Sequence, residues 1–192
     1  MSTASVAVRT REAADERLAQ LRDRFGSFPL VERTTLDSPT RFDAGVEQFE
    51  EGFRGAAGAR VTDERGRLLL LRERNAPDTW VHPGGGHEPG ESLAETARRE
   101  VYEEAGVECE LTGVWVAVRK RFVDRAETQR RGYLLEVVFE ADAVGGEAGL
   151  YPERWDSFDD DDPDEEILEV GWFDAPPADA APVVSDPWRW GQ

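Results

Sequence analysis

The spacing of apolar side chains changes several times along the chain, and each change marks a predicted element. Residues 9–25 place Ala13, Leu18, Leu21 and Phe25 at helical spacing, and Gly26 follows as a stop. Residues 27–43 hold two prolines and no clear period, which predicts a connector; residues 44–51 fit a short helix or a strand equally well. Two β-capable runs, 56–63 and 67–73, flank the turn signal Asp63-Glu64-Arg65-Gly66. Within the second, Leu68 to Leu71 is continuously apolar, as expected of a strand buried on both faces. A short strand at 80–82, a glycine turn and a helix at 92–105 come next. Long β-type segments follow at 110–123 and 131–142, with a last strand at 167–173 ahead of Pro176-Pro177. Mixed strands around one strong central helix predict an α/β domain.

The helix at 92–105 carries the chemistry. Ser92 followed by Glu95 is a capping-box pattern, and Gly106 stands where a left-handed cap would end the helix. On a helical wheel Ala94, Ala97, Val101 and Ala105 fall roughly 60 to 140 degrees from Glu100, a flank able to pack on a core. Glu100, Glu103 and Glu104 stand at i, i+3 and i+4 on the neighbouring arc. Three carboxylates on one face are costly unless a cation neutralises them. Oxygen donors of this kind suit Mg²⁺ or Mn²⁺. The bland alternative is a solvated helix face in an acid-rich protein.

Residues 85–107, GGHEPGESLAETARREVYEEAGV, agree at all nine defined positions with G-x5-E-x7-R-E-U-x-E-E-x-G-U, where U is aliphatic. The chain therefore resembles the Nudix hydrolases. The preceding Trp80-Val81-His82-Pro83-Gly84 resembles that family's lead-in, except that His82 stands where an aliphatic residue is more common. The resemblance implies an α/β/α sandwich around a mixed β-sheet and hydrolysis of a diphosphate linkage. It implies that Glu100, Glu103 and Glu104 are metal ligands, joined by the Gly84 carbonyl, and that Glu104 is the most damaging single loss. It implies that Glu91 and Arg99 pair to brace the loop against the helix, with Gly85 and Gly106 in structural roles. Glu100 or a loop glutamate would act as base. Within the acidic run 158–166, Glu165 and Glu166 precede the last strand. Glu166 is carried as a further catalytic candidate against the bland reading of a surface loop.

Substrate choice lies outside this motif. Trp80, Trp115, Phe122 and Tyr133 could stack a base, although core packing is the more ordinary use of an aromatic. Arg119, Lys120 and Arg121 could meet phosphates, or be exposed and charge-paired. The proline typical of ADP-ribose hydrolases about 15 residues beyond the box is replaced by Lys120-Arg121-Phe122-Val123. The tyrosine pattern for dinucleoside polyphosphates is absent too, and no coenzyme A or NADH signature is present.

The 192 residues suit one domain of ordinary size, divided here into an N-terminal helical extension (1–52), a Nudix domain (53–180) and a C-terminal tail (181–192). Packing or dimerisation is the expected use of the extension, which leaves a homodimer open. No run of 18 apolar residues and no signal-peptide pattern occurs, and the single cysteine, Cys109, fits a reducing cytoplasm. Charge is the extreme feature: 41 acidic against 23 basic residues give a net charge of −18, and Lys120 is the only lysine. Such a surface repels duplex nucleic acid. It could serve a basic partner, but acid spread along the whole chain resembles proteins of salt-accumulating halophilic archaea. The expectation is a Mg²⁺-dependent hydrolase of a nucleoside diphosphate derivative, such as a nucleotide sugar, an ADP-ribose-like compound or a (d)NTP. The alternatives are an inactive Nudix-fold binding module and an acidic interaction protein.

Overall fold

A computed structural model of the protein describes residues 5–151 and 167–190. The chain runs α1 (Val6–Phe25), β1 (Leu30–Asp37), α2 (Pro39–Glu51), β2 (Gly55–Thr62), β3 (Leu68–Glu73) and β4 (Gly84–Gly86). It continues through α3 (Leu93–Ala105), β5 (Val107–Asp124), β6 (Arg131–Gly146), β7 (Ile167–Phe173) and the short α4 (Pro182–Ser185). The strands form one mixed sheet in the order β1-β5-β6-β2-β3-β7, with β4 paired to β2. The pairs β1–β5 and β6–β2 are parallel; β5–β6, β2–β4 and β3–β7 are antiparallel.

The α/β/α layering follows from where side chains go. On one face α1 contributes Ala14, Leu18 and Leu21, and α3 contributes Ala94, Ala97, Val101 and Ala105. Both pack over Ala57, Ala59, Val61, Leu135, Val137 and Phe139. The opposite face carries two smaller clusters, one of Leu68, Leu70, Trp80 and Val184, the other of Val116, Val118 and Val138 with Val183 and Trp190. Leu69 and Leu70 thus point to opposite sides of β3, whose Leu68 to Leu71 run is buried, as the continuous apolar run predicts. The segment around α4 closes the second face, where the Trp115 indole N–H donates to the Val183 carbonyl at 2.9 Å.

The connector expected over 27–43 is instead a strand and the start of a helix. β1 pairs with β5 in parallel register from Leu30↔Ala117 to Asp37↔Asp124. As an edge strand it is largely exposed, so its sequence lacks the alternation of a half-buried strand. The two prolines bracket elements rather than interrupt one. Pro29 precedes β1 and offers its carbonyl to Ala117 N–H. Pro39 opens α2 behind the Ser38 cap, where a missing N–H costs nothing. Residues 44–51 are the second half of α2. The strand expected at 80–82 is reduced to two bridges, Val81 with Leu71 and Trp80 with Ala180. Register shifts at Glu108/Cys109, Leu111/Gly113 and Val114/Val116 interrupt the alternation of β5.

Candidate active site

The site forms where β4 presses onto β2 and α3 crosses beneath. A Cβ at Gly58 would stand 2.3 Å from the Pro83 carbonyl oxygen, and one at Gly84 would stand 2.5 Å from Gly58 Cα, so this approach requires glycine. The Ser92 hydroxyl and the Glu95 carboxylate satisfy both halves of the capping box. Gly106 ends α3 with φ 74°. With both ends fixed, the helix holds its acidic arc under the glycine strand.

Glu100 and Glu104 are buried. Gly84 N–H donates to Glu104 Oε2 at 2.7 Å, and a Cβ at Gly85 would fall 2.7 Å from the Glu100 carboxyl group. Arg99 is the hub. Its guanidinium donates to Glu91 Oε1 (2.9 Å) and Oε2 (3.1 Å), Glu100 Oε1 (2.9 Å), Glu103 Oε2 (3.0 Å) and the Gly86 carbonyl (2.9 Å). Burial works against its charge, but this set of carboxylates raises its pKa far above the ordinary arginine value. Burial likewise works against the charge of Glu91, yet hydrogen bonds from Arg99 and Thr96 hold it below the usual carboxylate range.

Among the described residues, no three acidic, histidine or cysteine side chains converge into a ready-made ion cage. Arg99 Nη1 instead sits between Glu100 and Glu103. The donor chemistry nevertheless fits a hard divalent cation. Every candidate donor is oxygen, two of the three carboxylates are buried, and Gly84 N–H aims one of them. Glu165 and Glu166 lie outside the described residues.

Two clefts meet here. The first, about 340 Å³, is lined by Phe53, Glu73, Asn75, His87, Arg99, Glu100, Glu104 and the glycines 84–86. The second, about 770 Å³, shares Glu73, Asn75, Gly84 and Gly85 with the first. It continues over Ala56, Gly58, His82, Lys120, Glu136, Val183 and Trp190. None of the four aromatics singled out from the sequence lines either cleft. Trp80 packs on Phe173, Phe122 on Phe42, Tyr133 joins the α1 face of the core, and Trp115 lies under Arg60. Of the three adjacent cations only Lys120 faces a cleft, bonded to Glu136 Oε1 at 3.2 Å; Arg119 pairs with Glu32 and Asp15, and Arg121 is exposed. Glu73, Asn75 and Trp190 escaped the sequence reading because tertiary pairing alone brings them to the site, and His87, inside the box, fills a position that the motif leaves undefined. Cys109 is buried, which pushes its thiol up to about 11, so it is inert as a nucleophile.

His82 is only 9% exposed, and neither ring nitrogen has a hydrogen-bond partner. Burial, helped by the nearby Arg60 charge, pushes its pKa from 6.5 down to about 3. The unfolded chain gains a proton below pH 6.5 and the folded chain does not, so this group withdraws stability as pH falls through that window. The slope is about 1.4 kcal/mol per pH unit. Urea titrations of the native protein and His82→Val between pH 7 and pH 4 should therefore diverge, the variant gaining relative stability towards acid. Parallel pH curves would show that the imidazole is not held neutral.

A NUDIX domain model matches residues 52–190. Over 63 residues the chain is 43% identical to diphosphoinositol polyphosphate phosphohydrolase 2 of Rattus norvegicus, covering 32% of this chain and 35% of that protein. Over 100 residues it is 39% identical to 8-oxo-dGDP phosphatase NUDT18 of Homo sapiens, covering 46% of this chain and 29% of that protein. The chain thus spans about a third of the length of these relatives. Among solved structures it is similar to a UDP-X diphosphatase, with TM-score 0.43 and 19% identity over 71% of this chain and 60% of that one. It is also similar to a MutT NUDIX hydrolase from Burkholderia pseudomallei, with TM-score 0.41 and 28% identity over 62% and 81%.

Proposed function

The chain belongs to the Nudix family, and from this premise we propose that it hydrolyses the diphosphate linkage of a small nucleoside diphosphate derivative with the help of Mg²⁺ or Mn²⁺. The observation that carries this reading is the pair of buried carboxylates, Glu100 and Glu104, turned into a cleft beneath a glycine strand that fixes one of them. The relatives described above support it, since diphosphoinositol polyphosphates and 8-oxo-dGDP both contain a phosphoanhydride.

Nudix hydrolases in general use divalent metals. Glu100, Glu103 and Glu104, with the Gly84 carbonyl, would hold the ion in this chain. When bound, it neutralises phosphate oxygens and lowers the pKa of water. The protein supplies the rest. Arg99 orients Glu100 and Glu103 while it ties the loop to α3 through Glu91. Gly84 N–H holds the Glu104 carboxylate in one rotamer. The cleft aligns the anhydride so that a water oxygen bonds to one phosphorus as the bridging P–O bond breaks. The water's proton passes to a carboxylate, Glu100 or Glu166, and two phosphate products leave. Substrates of this reading are nucleotide sugars, ADP-ribose-like compounds and (d)NTPs. The −18 charge supports adaptation of a cytoplasmic protein to high salt, of the kind found in halophilic archaea.

A panel of nucleoside diphosphate derivatives, assayed with Mg²⁺ at low and molar KCl, tests both parts. Turnover should vanish with EDTA, return with added Mg²⁺, and be greater in molar KCl together with a higher thermal midpoint. Turnover indifferent to EDTA would overturn the metal-assisted reading. Nucleotide binding with no turnover would identify a binding module. Unfolding by molar KCl would overturn the salt reading.

A further inference from the structure

We propose that the larger cleft, on the face of the sheet opposite α3, receives a nucleobase of the substrate, and that His82 selects the base through hydrogen bonds to its two ring nitrogens. The inference rests on the diphosphate-hydrolase reading for where the cleaved bond lies. It does not rest on turnover.

Three observations carry it. First, His82 has two buried ring nitrogens that bond to nothing within the protein. A buried polar group left unpaired is unfavourable, and an aliphatic side chain of similar volume would avoid that loss. The imidazole is therefore explained by a partner from outside the chain. Second, His82 lines the largest cleft described, and that cleft adjoins the carboxylate site, the two sharing Glu73, Asn75, Gly84 and Gly85. A diphosphate held at Glu100 and Glu104 thus projects its attached group across His82. Third, the shape and chemistry of the cleft suit a flat heterocycle. Ala56 adds only a methyl group to the lining beside His82, while Val183 and Trp190 form an apolar wall. Lys120 pairs with Glu136 at 3.2 Å, and Arg33 and Glu73 also line the cleft, so its charged side chains are balanced in sign and the lining is polar with little net charge. An imidazole with one N–H and one lone pair complements the adjacent acceptor and donor on a base edge.

The test compares native protein with His82→Val and His82→Asn, the second restoring one donor and one acceptor. Steady-state kinetics on ADP-, GDP-, UDP- and CDP-glucose keep the diphosphate and sugar constant while the base varies. The native protein should prefer one or two bases by about tenfold or more. His82→Val should raise KM for those bases about tenfold, leave kcat within about threefold and flatten the ranking; His82→Asn should recover part of it. The ranking is a ratio within one variant, so partial misfolding does not move it. An unchanged ranking with a uniform loss would overturn the proposal, as would a preference that follows the sugar. If hydrolysis fails altogether, metal-free binding of AMP, GMP, UMP and CMP decides the matter by NMR of the His82 imidazole. A base-dependent shift of that resonance supports the proposal without turnover. Its absence with all four nucleotides overturns it.

Discussion

Glu104→Gln is expected to lower kcat by about a thousandfold, equivalent to ~4 kcal/mol of lost transition-state stabilisation. The substitution is nearly isosteric. The glutamine carbonyl can still accept the Gly84 N–H that now meets Glu104 Oε2, so the helix and glycine strand should stay in place. What disappears is the anionic oxygen available to a cation. Folding and catalysis therefore separate cleanly: the thermal midpoint should remain within a few degrees of the native value while turnover collapses. Steady-state assays beside a melting curve make the comparison. Activity within tenfold of native would remove Glu104 from the list of ligands.

The second large effect falls on a residue that has no side chain. Gly58→Ala would push its Cβ to 2.3 Å from the Pro83 carbonyl oxygen, which itself accepts Ala59 N–H at 3.0 Å. Backbone on both sides leaves little room to relax, and the cost should be about 3 kcal/mol, a drop of roughly 10 °C in a domain of this size. The damage should also reach the chemistry. Gly58 is paired with Gly84, so displacing β4 moves the N–H that fixes Glu104, and a shift of about 1 Å at such a site is worth roughly a hundredfold in rate. Gly66→Ala is the control. Its φ of +78° makes alanine strained, but nothing lies within 4 Å of the new Cβ and the turn is remote from the site. It should lose about 1 kcal/mol and no kcat. Urea melts and kinetics on both variants check the pair; a fully stable and active Gly58→Ala protein would show that β4 is free to move.

Helix α3 was legible in the sequence because its signals are local. A capping box, a left-handed glycine and carboxylates at i, i+3 and i+4 lie within 15 residues, and backbone hydrogen bonding alone turns that spacing into one face. The buried leucine run of β3 was legible for the same reason. Strand β1 was not, since an edge strand needs only its backbone to join a sheet and shows little periodicity. Nor was the composition of the clefts. Glu73 ends β3, Asn75 follows it and Trp190 lies over a hundred positions further on. They meet only because β2, β3 and β4 pair as they do and the C-terminal segment folds over the second face. The aromatics drew attention by their type, but burial in the sheet clusters claimed them before any ligand could.

Helix α1 bears on how the protein can be cut. The NUDIX domain match begins at residue 52, an inviting place to start a shorter version. Yet Leu18 and Leu21 cover the same apolar surface as Leu135 and Phe139, Phe25 sets its ring edge against Phe139 at 5.7 Å, and the Thr10 hydroxyl accepts Tyr133 N–H at 3.1 Å. Deleting the first 51 residues would bare a hydrophobic strip along β6 and strip β5 of its parallel neighbour, leaving a raw sheet edge beside a sticky face. A fragment trimmed to the family boundary should therefore clump on expression, because the family match begins inside the unit whose apolar faces cover one another.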